Sequence, residues 1–521
     1  MNSHQIVRRL RAFQHGTPLA RGETLHFSIA DDADLLIVAF VRMGGESAPW
    51  AVGFGQPGRE PTILSVPEPR NRDLVAGMAA EFAPVLLTHL RHPDHSRDAI
   101  TGSEYTLPVR QVWLPNPTHL DMLHYLAYAY TFTKWGDAAR ALMLNKLGRA
   151  TNWLFQEAHR PGQVTTMVAT EALRESFTFP AQDVRQGHLG YLLAWLTTDG
   201  AREDRMRAAE AAEQAAIATS LDPALERETL DRAVEQWNDA RRASDTRGEA
   251  RLARTIGTAL KPEVEHRWRL AEQAIRLLRS DGRRVNTGAA RLEAASREEH
   301  WYRYLRIEHR INDNADGPAY VPSPETDRYA APAAARFFTH EESEEVRYGA
   351  LIHDDTELQA DAIADGEALR GTIVGVRDDN PHGAAQTPVW TIESPATGPL
   401  RLRESSRVCP VGLPRREGHI RSIEPLPNGG RRLEVEITGW KRARRVPGLG
   451  AIPAACDDAL RGTSVVMVKT TGERLARARN RHVWERGVPG GWLTHGTPTG
   501  PGADLPPEVA DDMSAVVRAA G

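Results

Sequence analysis

The residues best suited to chemistry in this chain are basic side chains in its C-terminal part. The run Lys441-Arg442-Ala443-Arg444-Arg445 follows a segment in which arginines stand between short apolar runs. Guanidinium and ammonium groups bind phosphate oxygens, and each neutralised phosphate releases counterions. Eight residues are therefore the predicted nucleic-acid contacts: Arg401, Arg403, Arg415, Arg416, Lys441, Arg442, Arg444 and Arg445.

The charge of this stretch contrasts with the chain as a whole. From Arg401 to Arg445 there are twelve arginines and lysines against five glutamates, a net charge of +7, whereas all 521 residues together carry −4. Such a local excess favours binding to DNA or RNA with a strong salt dependence. A basic surface also fits a protein-docking module, or charge that only keeps a domain soluble, so these alternatives stay open.

Four carboxylates in the same region offer a catalytic alternative. Asp378, Asp379, Glu434 and Glu436 could hold a divalent metal for phosphodiester hydrolysis, which would make the protein a divergent nuclease. The chain has no signature of a phosphate-binding loop, a serine-hydrolase elbow, a zinc metalloprotease or a zinc deaminase. We therefore expect no catalytic residues, metal or cofactor, and keep the nuclease as an alternative.

One glycine-rich segment matches a nucleotide-binding pattern. Gly53-Phe54-Gly55-Gln56-Pro57-Gly58 has the glycine spacing of a dinucleotide fingerprint. In a true fingerprint the last glycine opens a helix whose N-terminus binds the pyrophosphate, but here Pro57 and Pro61 lead towards another strand. The context predicts a hairpin turn.

The first part of the chain, 1–115, is predicted to be a small α+β domain. A helix is expected from about Leu74 to Leu90, with capping residues at Asn71 and Asp73. Apolar runs separated by turn residues predict a meander of strands at 24–29, 35–41, 50–54 and 63–66.

The period of the apolar pattern changes after Asn116. A compact helical core is expected over 116–200, followed by longer and more charged helices over 201–312. The mixed charge of these helices predicts antiparallel arms that expose a solvated face or dock a protein. A linker is predicted over 313–366, first rich in proline and then acidic.

Five or six short strands are predicted in the basic domain, 367–486. Residues 432–437 alternate strictly, and Asn428-Gly429-Gly430 supplies a tight hairpin before them. The set predicts a small β-barrel of the oligonucleotide-binding or SH3-like type, and the tail at 487–521 is expected to be disordered. The other strands are expected around Ile373, Trp390, Leu400 to Leu402, Ile420 and Val466.

The predicted fold class is therefore α+β multidomain, with an N-terminal meander domain, a helical body with long arms and a C-terminal barrel. We expect a non-catalytic nucleic-acid-binding adaptor or accessory subunit of a DNA- or RNA-processing machine, for example in repair or phage defence. Its barrel would bind DNA or RNA, and its helical body and arms would dock an ATPase or nuclease. The alternative of another class is a protein-binding scaffold that does not contact nucleic acid.

Composition predicts a cytoplasmic protein that has no membrane partner. The two cysteines, Cys409 and Cys456, exclude a disulfide framework and fit a reducing compartment. No segment is expected to reach the ~18 apolar residues that a membrane-spanning helix needs.

Overall fold

The chain forms two compact units in a computed structural model, Ser3–Ala319 and Tyr320–Gly521. The predicted tail at 487–521 and the proline-rich segment at 313–335 lie outside the described residues. The structure describes residues 2–45, 47–91, 95–97, 104–106, 110–181, 184–290, 292–293, 344–380, 382, 385–413, 416–437, 440–441 and 460–469.

The first unit combines strands with a shell of helices. Its described strands are β1 (Leu19–Ala20), β2 (Thr24–Leu25), β3 (Leu35–Arg42), β4 (Pro49–Gly55), β5 (Thr62–Ser65), β6 (His95–Arg97), β7 (Glu104–Thr106), β8 (Gln111–Leu114), β9 (Thr166–Val168), β10 (Phe177–Thr178) and β11 (Arg284–Val285). Its α-helices include α1 (Ser3–His15), α2 (Arg72–Leu90), α3 (Thr118–Tyr130), α4 (Ala138–Ala158), α5 (Ala169–Ser176), α6 (Leu189–Thr197), α7 (Arg202–Glu213), α8 (Pro223–Leu225), α9 (Asp231–Arg242) and α10 (Thr246–Ser280).

Five strands form the central sheet of this unit, in the order β5-β4-β3-β8-β9. The antiparallel neighbours β3, β4 and β5 are the predicted meander, whereas β8 runs parallel to β3 and β9 runs parallel to β8. The sheet becomes mixed because helices carry the chain back before each of the last two strands. The strand predicted at 24–29 is reduced to β2, which pairs with β11 instead of joining this sheet.

Helix α2 covers one face of the sheet. Phe82 packs on Phe40 and Phe54, with ring centroids 6.3 and 5.1 Å apart. The predicted cap is confirmed, because Oδ1 of Asn71 accepts hydrogen bonds from the backbone at the start of the helix. Helix α2 is long and apolar enough to cross a membrane by length and composition, but half of its most apolar window is buried in the protein.

Helix α10 covers the opposite face of the sheet. Successive side chains of a strand point to opposite faces, so every second residue of β3 and β4 faces this helix. Trp268 donates its indole N–H to the carbonyl of Ile37 at 3.2 Å. Gly53 allows this approach, since a Cβ at that position would lie 2.5 Å from Cγ1 of Val264. The glycine-rich segment is thus the end of a strand and a turn, as predicted, and its first glycine serves helix packing.

One hydrophobic core runs through the three ranges predicted as N-terminal domain, helical core and arms. It joins Val38 of β3, Leu123 of α3 and Ile275 of α10. The boundaries expected at residues 115 and 200 therefore do not separate compact units. Helix α10 was expected to be an arm because its exposed side is highly charged, but its other side is buried against the sheet.

The second unit contains a closed barrel of six antiparallel strands in the order β12-β14-β17-β16-β15-β19. Its apolar core includes Ile373, Trp390, Val435 and Met467. The described elements of this unit include α11 (Thr356–Ala364), β12 (Ala368–Asp378), β13 (Ala385–Gln386), β14 (Pro388–Ser394), β15 (Arg407–Pro410), β16 (Gly418–Pro425), β17 (Arg431–Ile437), β18 (Trp440–Lys441) and β19 (Ser464–Lys469).

The α+β multidomain class and the predicted C-terminal barrel are confirmed, with two local differences. Residues 400–402, which were expected to form a strand, are in a loop, although Leu402 still packs into the barrel core. The barrel strand in this part of the chain is β15, which begins at Arg407. Part of the predicted acidic linker is folded, since Ile352 and Ala362 pack against Ala368 and Val468 of the barrel. The hairpin at Asn428-Gly429-Gly430 is as predicted, with Gly429 at a φ of 79°.

Candidate nucleic-acid interface

The arginines on the outer strand face of the barrel are held by carboxylates. Arg377 forms a bidentate pair with Glu434, at 2.6 and 3.0 Å. Arg421 donates to Glu436 at 2.8 Å and also pairs with Asp379, which Arg377 contacts from its other side at 3.0 Å. Five side chains of β12, β16, β17 and the residue after β12 therefore form one continuous ionic network.

The network lowers the pKa of two of its carboxylates, the direction expected when nearby positive charge stabilises the ionised form. The hydrogen bonds from Arg377 hold the pKa of Glu434 below its usual value, and those from Arg421 do the same for Asp379. On a neighbouring part of the face, Glu393 accepts two hydrogen bonds from Arg432, and this pairing raises the pKa of the Arg432 guanidinium group. A phosphate would have to displace a carboxylate from each of these arginines.

The same pairing bears on the four carboxylates considered for a nuclease. Glu434, Glu436 and Asp379 face guanidinium groups, which a metal ion would have to displace. Oδ1 of Asp378 accepts backbone N–H groups of Asn380 and Thr387, both at 3.0 Å. Within the described part of the chain, no group of three or more histidine, cysteine, aspartate or glutamate side chains is placed to hold a metal.

The structure places the predicted contact residues in different settings. Arg401 and Arg403 are exposed in the loop between β14 and β15, and no carboxylate of the described residues pairs with either of them. Arg416 is half-buried, and Lys441 lies in β18, which pairs with β13. The other predicted contacts, Arg415, Arg442, Arg444 and Arg445, lie outside the described residues.

The charge balance of the barrel depends strongly on where it is counted. From Glu367 to Ile437, which spans five of the six barrel strands, ten arginines stand against nine carboxylates. The excess of +7 from Arg401 to Arg445 is therefore largely due to Lys441 and the arginines after it, and to starting the count after the acidic residues of β12 and β14. The strand face of the barrel is close to neutral, and the positive excess arises mainly from the basic residues from Lys441 onwards in the sequence.

In the first unit, the usual ligand position of an open α/β sheet is occupied by the chain itself. Ligands commonly bind beyond the carboxyl ends of parallel strands. Here the segment 217–221 crosses that edge, where the Thr219 carbonyl accepts the N–H of Arg42 at 2.7 Å. Ile217 and Leu221 are buried in the core, so the segment closes the edge in place of a ligand.

Buried polar side chains fix this segment. Asn116 donates to the Ile217 carbonyl at 2.7 Å, and Arg267 donates to the carbonyls of Ala218 and Ser220 at 2.8 and 3.2 Å. His119 is fully buried and accepts the Phe40 N–H on Nδ1 at 3.0 Å. These groups serve the fold, since each binds backbone.

Sequence reasoning missed one set of exposed cations. The first half of α10 carries Arg247, Arg251, Arg254 and Lys261, and all four are exposed. Their spacing of four, three and seven residues in the sequence predicts that they lie on one side of a helix. The acidic residues elsewhere in 201–312 offset these cations in the sequence, which obscures the signal.

Comparison with known proteins adds no relative. No protein family, curated protein or solved structure matches the chain. The proposals below therefore depend on the geometry and charge of the two units alone.

Proposed function

We propose that the protein is a non-catalytic nucleic-acid-binding adaptor, with contacts made by the loops of the C-terminal barrel. The observation that carries the proposal is the contrast between two sets of arginines. Those on the strand face are bound by carboxylates, whereas Arg401 and Arg403 expose guanidinium groups that no described carboxylate pairs. Unpaired guanidinium groups can bind phosphate oxygens without first losing an ion pair.

A small closed barrel is compatible with this role. Small closed barrels of the oligonucleotide-binding or SH3-like type commonly use their loops to hold a ligand on a rigid frame. The run from Lys441 to Arg445 begins in β18, which is anchored to β13, so its first residue is fixed on the unit that carries Arg401 and Arg403. The contact set that we propose is Arg401, Arg403, Arg415, Arg416, Lys441, Arg442, Arg444 and Arg445.

Two observations favour a binding role over the nuclease alternative. The candidate carboxylates Asp379, Glu434 and Glu436 are neutralised by arginines, which leaves them poor ligands for a divalent metal. In the first unit, the segment 217–221 fills the edge of the sheet where a substrate would otherwise bind. Partner enzymes such as an ATPase or nuclease would then supply the chemistry.

A specific feature also favours the second candidate, a protein-binding scaffold. Helix α1 exposes Ile6, Val7, Leu10 and Phe13, at 44 to 55% of their surface. Ile6, Leu10 and Phe13 are spaced by four and three residues, which is the pattern of an amphipathic helix that inserts into a groove. This face could dock a protein whether or not the barrel binds nucleic acid.

Salt-titrated binding tests the proposed function. Fluorescence anisotropy with labelled single-stranded and duplex DNA and RNA should show binding at low salt that weakens steeply as salt rises. Replacing Arg401, Arg403, Arg442, Arg444 and Arg445 with glutamine, which we call the barrel-loop variant, should weaken binding and flatten the salt slope.

The matched control is Arg432→Gln on the same barrel. It removes a positive charge that Glu393 already neutralises, so binding should stay close to that of the unmodified protein. Failure of the unmodified protein to bind any of the four nucleic acids at low salt would exclude the proposed function. Cleavage of the probes in the presence of magnesium or manganese would instead support the nuclease.

A further inference from the structure

Helix α10 carries a line of basic side chains on its exposed side. Arg247, Arg251, Arg254 and Lys261 are separated by four, three and seven residues, so they project from one side of the helix. Thr258, which is also exposed, occupies the position between the last two and adds a hydroxyl donor. We call these five residues the α10 stripe.

The two halves of α10 differ in how their cations are neutralised. No carboxylate among the described residues pairs with Arg247, Arg251, Arg254 or Lys261, and Arg254 donates only to a carbonyl of its own helix, at 3.3 Å. Every arginine in the second half has a carboxylate partner, namely Glu263 for Arg267, Glu60, Glu265 and Glu272 for Arg269, Glu272 for Arg276, and Asp32 for Arg279. Abundant arginine alone does not explain this difference, since both halves are rich in it.

The stripe is held on a rigid support. The opposite side of the same half of α10 buries Ile256, Leu260 and Val264 against the sheet. Of the two acidic residues in this half, Glu249 is half-buried and Glu263 pairs with Arg267 at 2.9 Å, and both point away from the stripe by helical spacing. The helix therefore holds the backbone of these cations in a row, and the nearest carboxylate on the same side, Glu265 beyond Lys261, pairs with Arg269 at 3.6 Å. A line of phosphates could bind such a row without reorganising the helix.

The dimensions and composition of the stripe indicate the kind of nucleic acid. From Arg247 to Lys261 the helix rises roughly 21 Å, about the length of six nucleotides along one strand of a duplex. Non-specific recognition of single strands usually relies on exposed aromatic rings that stack on bases. The stripe has none, and the one tryptophan of α10, Trp268, is fully buried.

We infer that the α10 stripe binds the phosphate backbone of double-stranded nucleic acid without reading its sequence. This inference deepens the proposed function and rests on it, because it adds to the barrel loops a second contact surface, on the other unit of the chain. Arginine guanidinium groups, the Lys261 ammonium group and the Thr258 hydroxyl would each donate to phosphate oxygens.

A charge-matched pair of variants of the full chain tests the inference. The stripe variant replaces Arg247, Arg251 and Arg254 with glutamine. The control variant replaces three exposed arginines of the same unit that have carboxylate partners, Arg140, Arg207 and Arg276, which pair with Asp137, Asp204 and Glu272. Circular dichroism and thermal unfolding would verify that both variants keep the fold.

The expected result is a change in salt dependence on duplex DNA or duplex RNA. Each lost phosphate contact lowers the slope of log K against log salt by about 0.9 on B-form DNA, so the stripe variant should lose about 2.7. This corresponds to roughly 500-fold weaker binding at 0.1 M salt if the two lines meet at 1 M. The control variant should keep the slope of the unmodified protein.

The outcomes separate the inference from the proposed function. A stripe variant with the same slope as the control, together with a barrel-loop variant that has lost binding, would overturn the inference and leave the proposed function standing. Equal loss of slope on single strands and duplexes would overturn the assignment to double-stranded nucleic acid. No binding by the unmodified protein at low salt would overturn both proposals.

Discussion

Lowering the pH from 7 to 5 should destabilise the first unit through two buried histidines. Burial lowers the pKa of His119 from 6.5 to about 3, and the nearby charge of Arg267 acts in the same direction. Burial lowers the pKa of His89 to about 4, although its hydrogen bond to the Gln111 carbonyl at 3.0 Å opposes the shift. Both imidazoles therefore stay neutral in the folded protein at pH 5.

The size of the effect follows from proton linkage. The unfolded chain binds a proton at each histidine below about pH 6.5, so stability is lost as the pH falls from there towards the folded-state values near 3 and 4. At pH 5 the difference is about 1.5 pH units per histidine, which is about 2 kcal/mol each and about 4 kcal/mol together. A loss of this size is a large part of the ~5–15 kcal/mol that stabilises a typical domain.

Hydrogen exchange followed by mass spectrometry on peptides from β3 gives a local measurement of this loss. Protection should fall between pH 7 and pH 5 after correction for the intrinsic exchange rate. The variant His119→Gln can keep an acceptor for Phe40 and a donor for Ile217 without titrating, so its protection should depend less on pH than that of the unmodified protein. His124→Gln, an exposed position of the same helix, is the matched control.

Two results would refute this reasoning. One is unchanged protection of β3 between pH 7 and pH 5. The other is the same pH dependence in His119→Gln as in the unmodified protein, which would mean that His119 titrates alike in the folded and unfolded states. Unpaired carboxylates titrate mainly near pH 4, so they contribute little in this window.

Three further predictions concern individual contacts. Gly53→Ala should cost about 1–3 kcal/mol of unfolding free energy in urea titrations, because its Cβ would overlap Val264. Adding Val264→Ala should recover part of that cost, and strictly additive effects would contradict the packing argument. Asn71→Ala should cost about 1 kcal/mol by removing the cap of α2, whereas Asn71→Asp, which keeps an acceptor, should cost less. Burial raises the pKa of the Cys409 thiol to about 12, so this residue should react with iodoacetamide at pH 8 only after denaturation; rapid labelling of Cys409 itself in the native protein, assigned by peptide mass spectrometry, would contradict its burial.

The sequence predicts local structure in this protein better than it predicts how the parts join. The α2 cap at Asn71, the meander of β3 to β5 and the hairpin before β17 all depend on neighbours within a few residues, and all are confirmed. The packing of α10 on the sheet depends on Gly53 and Val264, more than two hundred residues apart, and no local pattern contains that contact. Domain boundaries placed by composition therefore cut through one core.

The candidate interface shows the same limit. The sequence identifies which residues carry charge, but a count of charges cannot say which of them are already paired. Arg421 and Arg401 look equivalent in the sequence, but only Arg421 pairs with carboxylates. Its partners are Glu436 of β17 and Asp379, which follows β12, whereas Arg401 is exposed. Pairing across strands depends on register, which sets Glu434 beside Arg377 through contacts that only the folded barrel makes.

The order of strands in the barrel has a consequence for its synthesis. The first strand, β12, has β19 as one of its two neighbours, and β19 ends at Lys469, about a hundred residues later. At ribosomal rates of ~5–20 residues per second, β19 is synthesised on the order of 5–20 s after β12, and until then one edge of β12 lacks its hydrogen-bonding partner. During this interval the nascent barrel exposes an open strand edge, which is a site for wrong pairing with other chains. Folding of this unit in the cell thus depends on how quickly translation reaches β19.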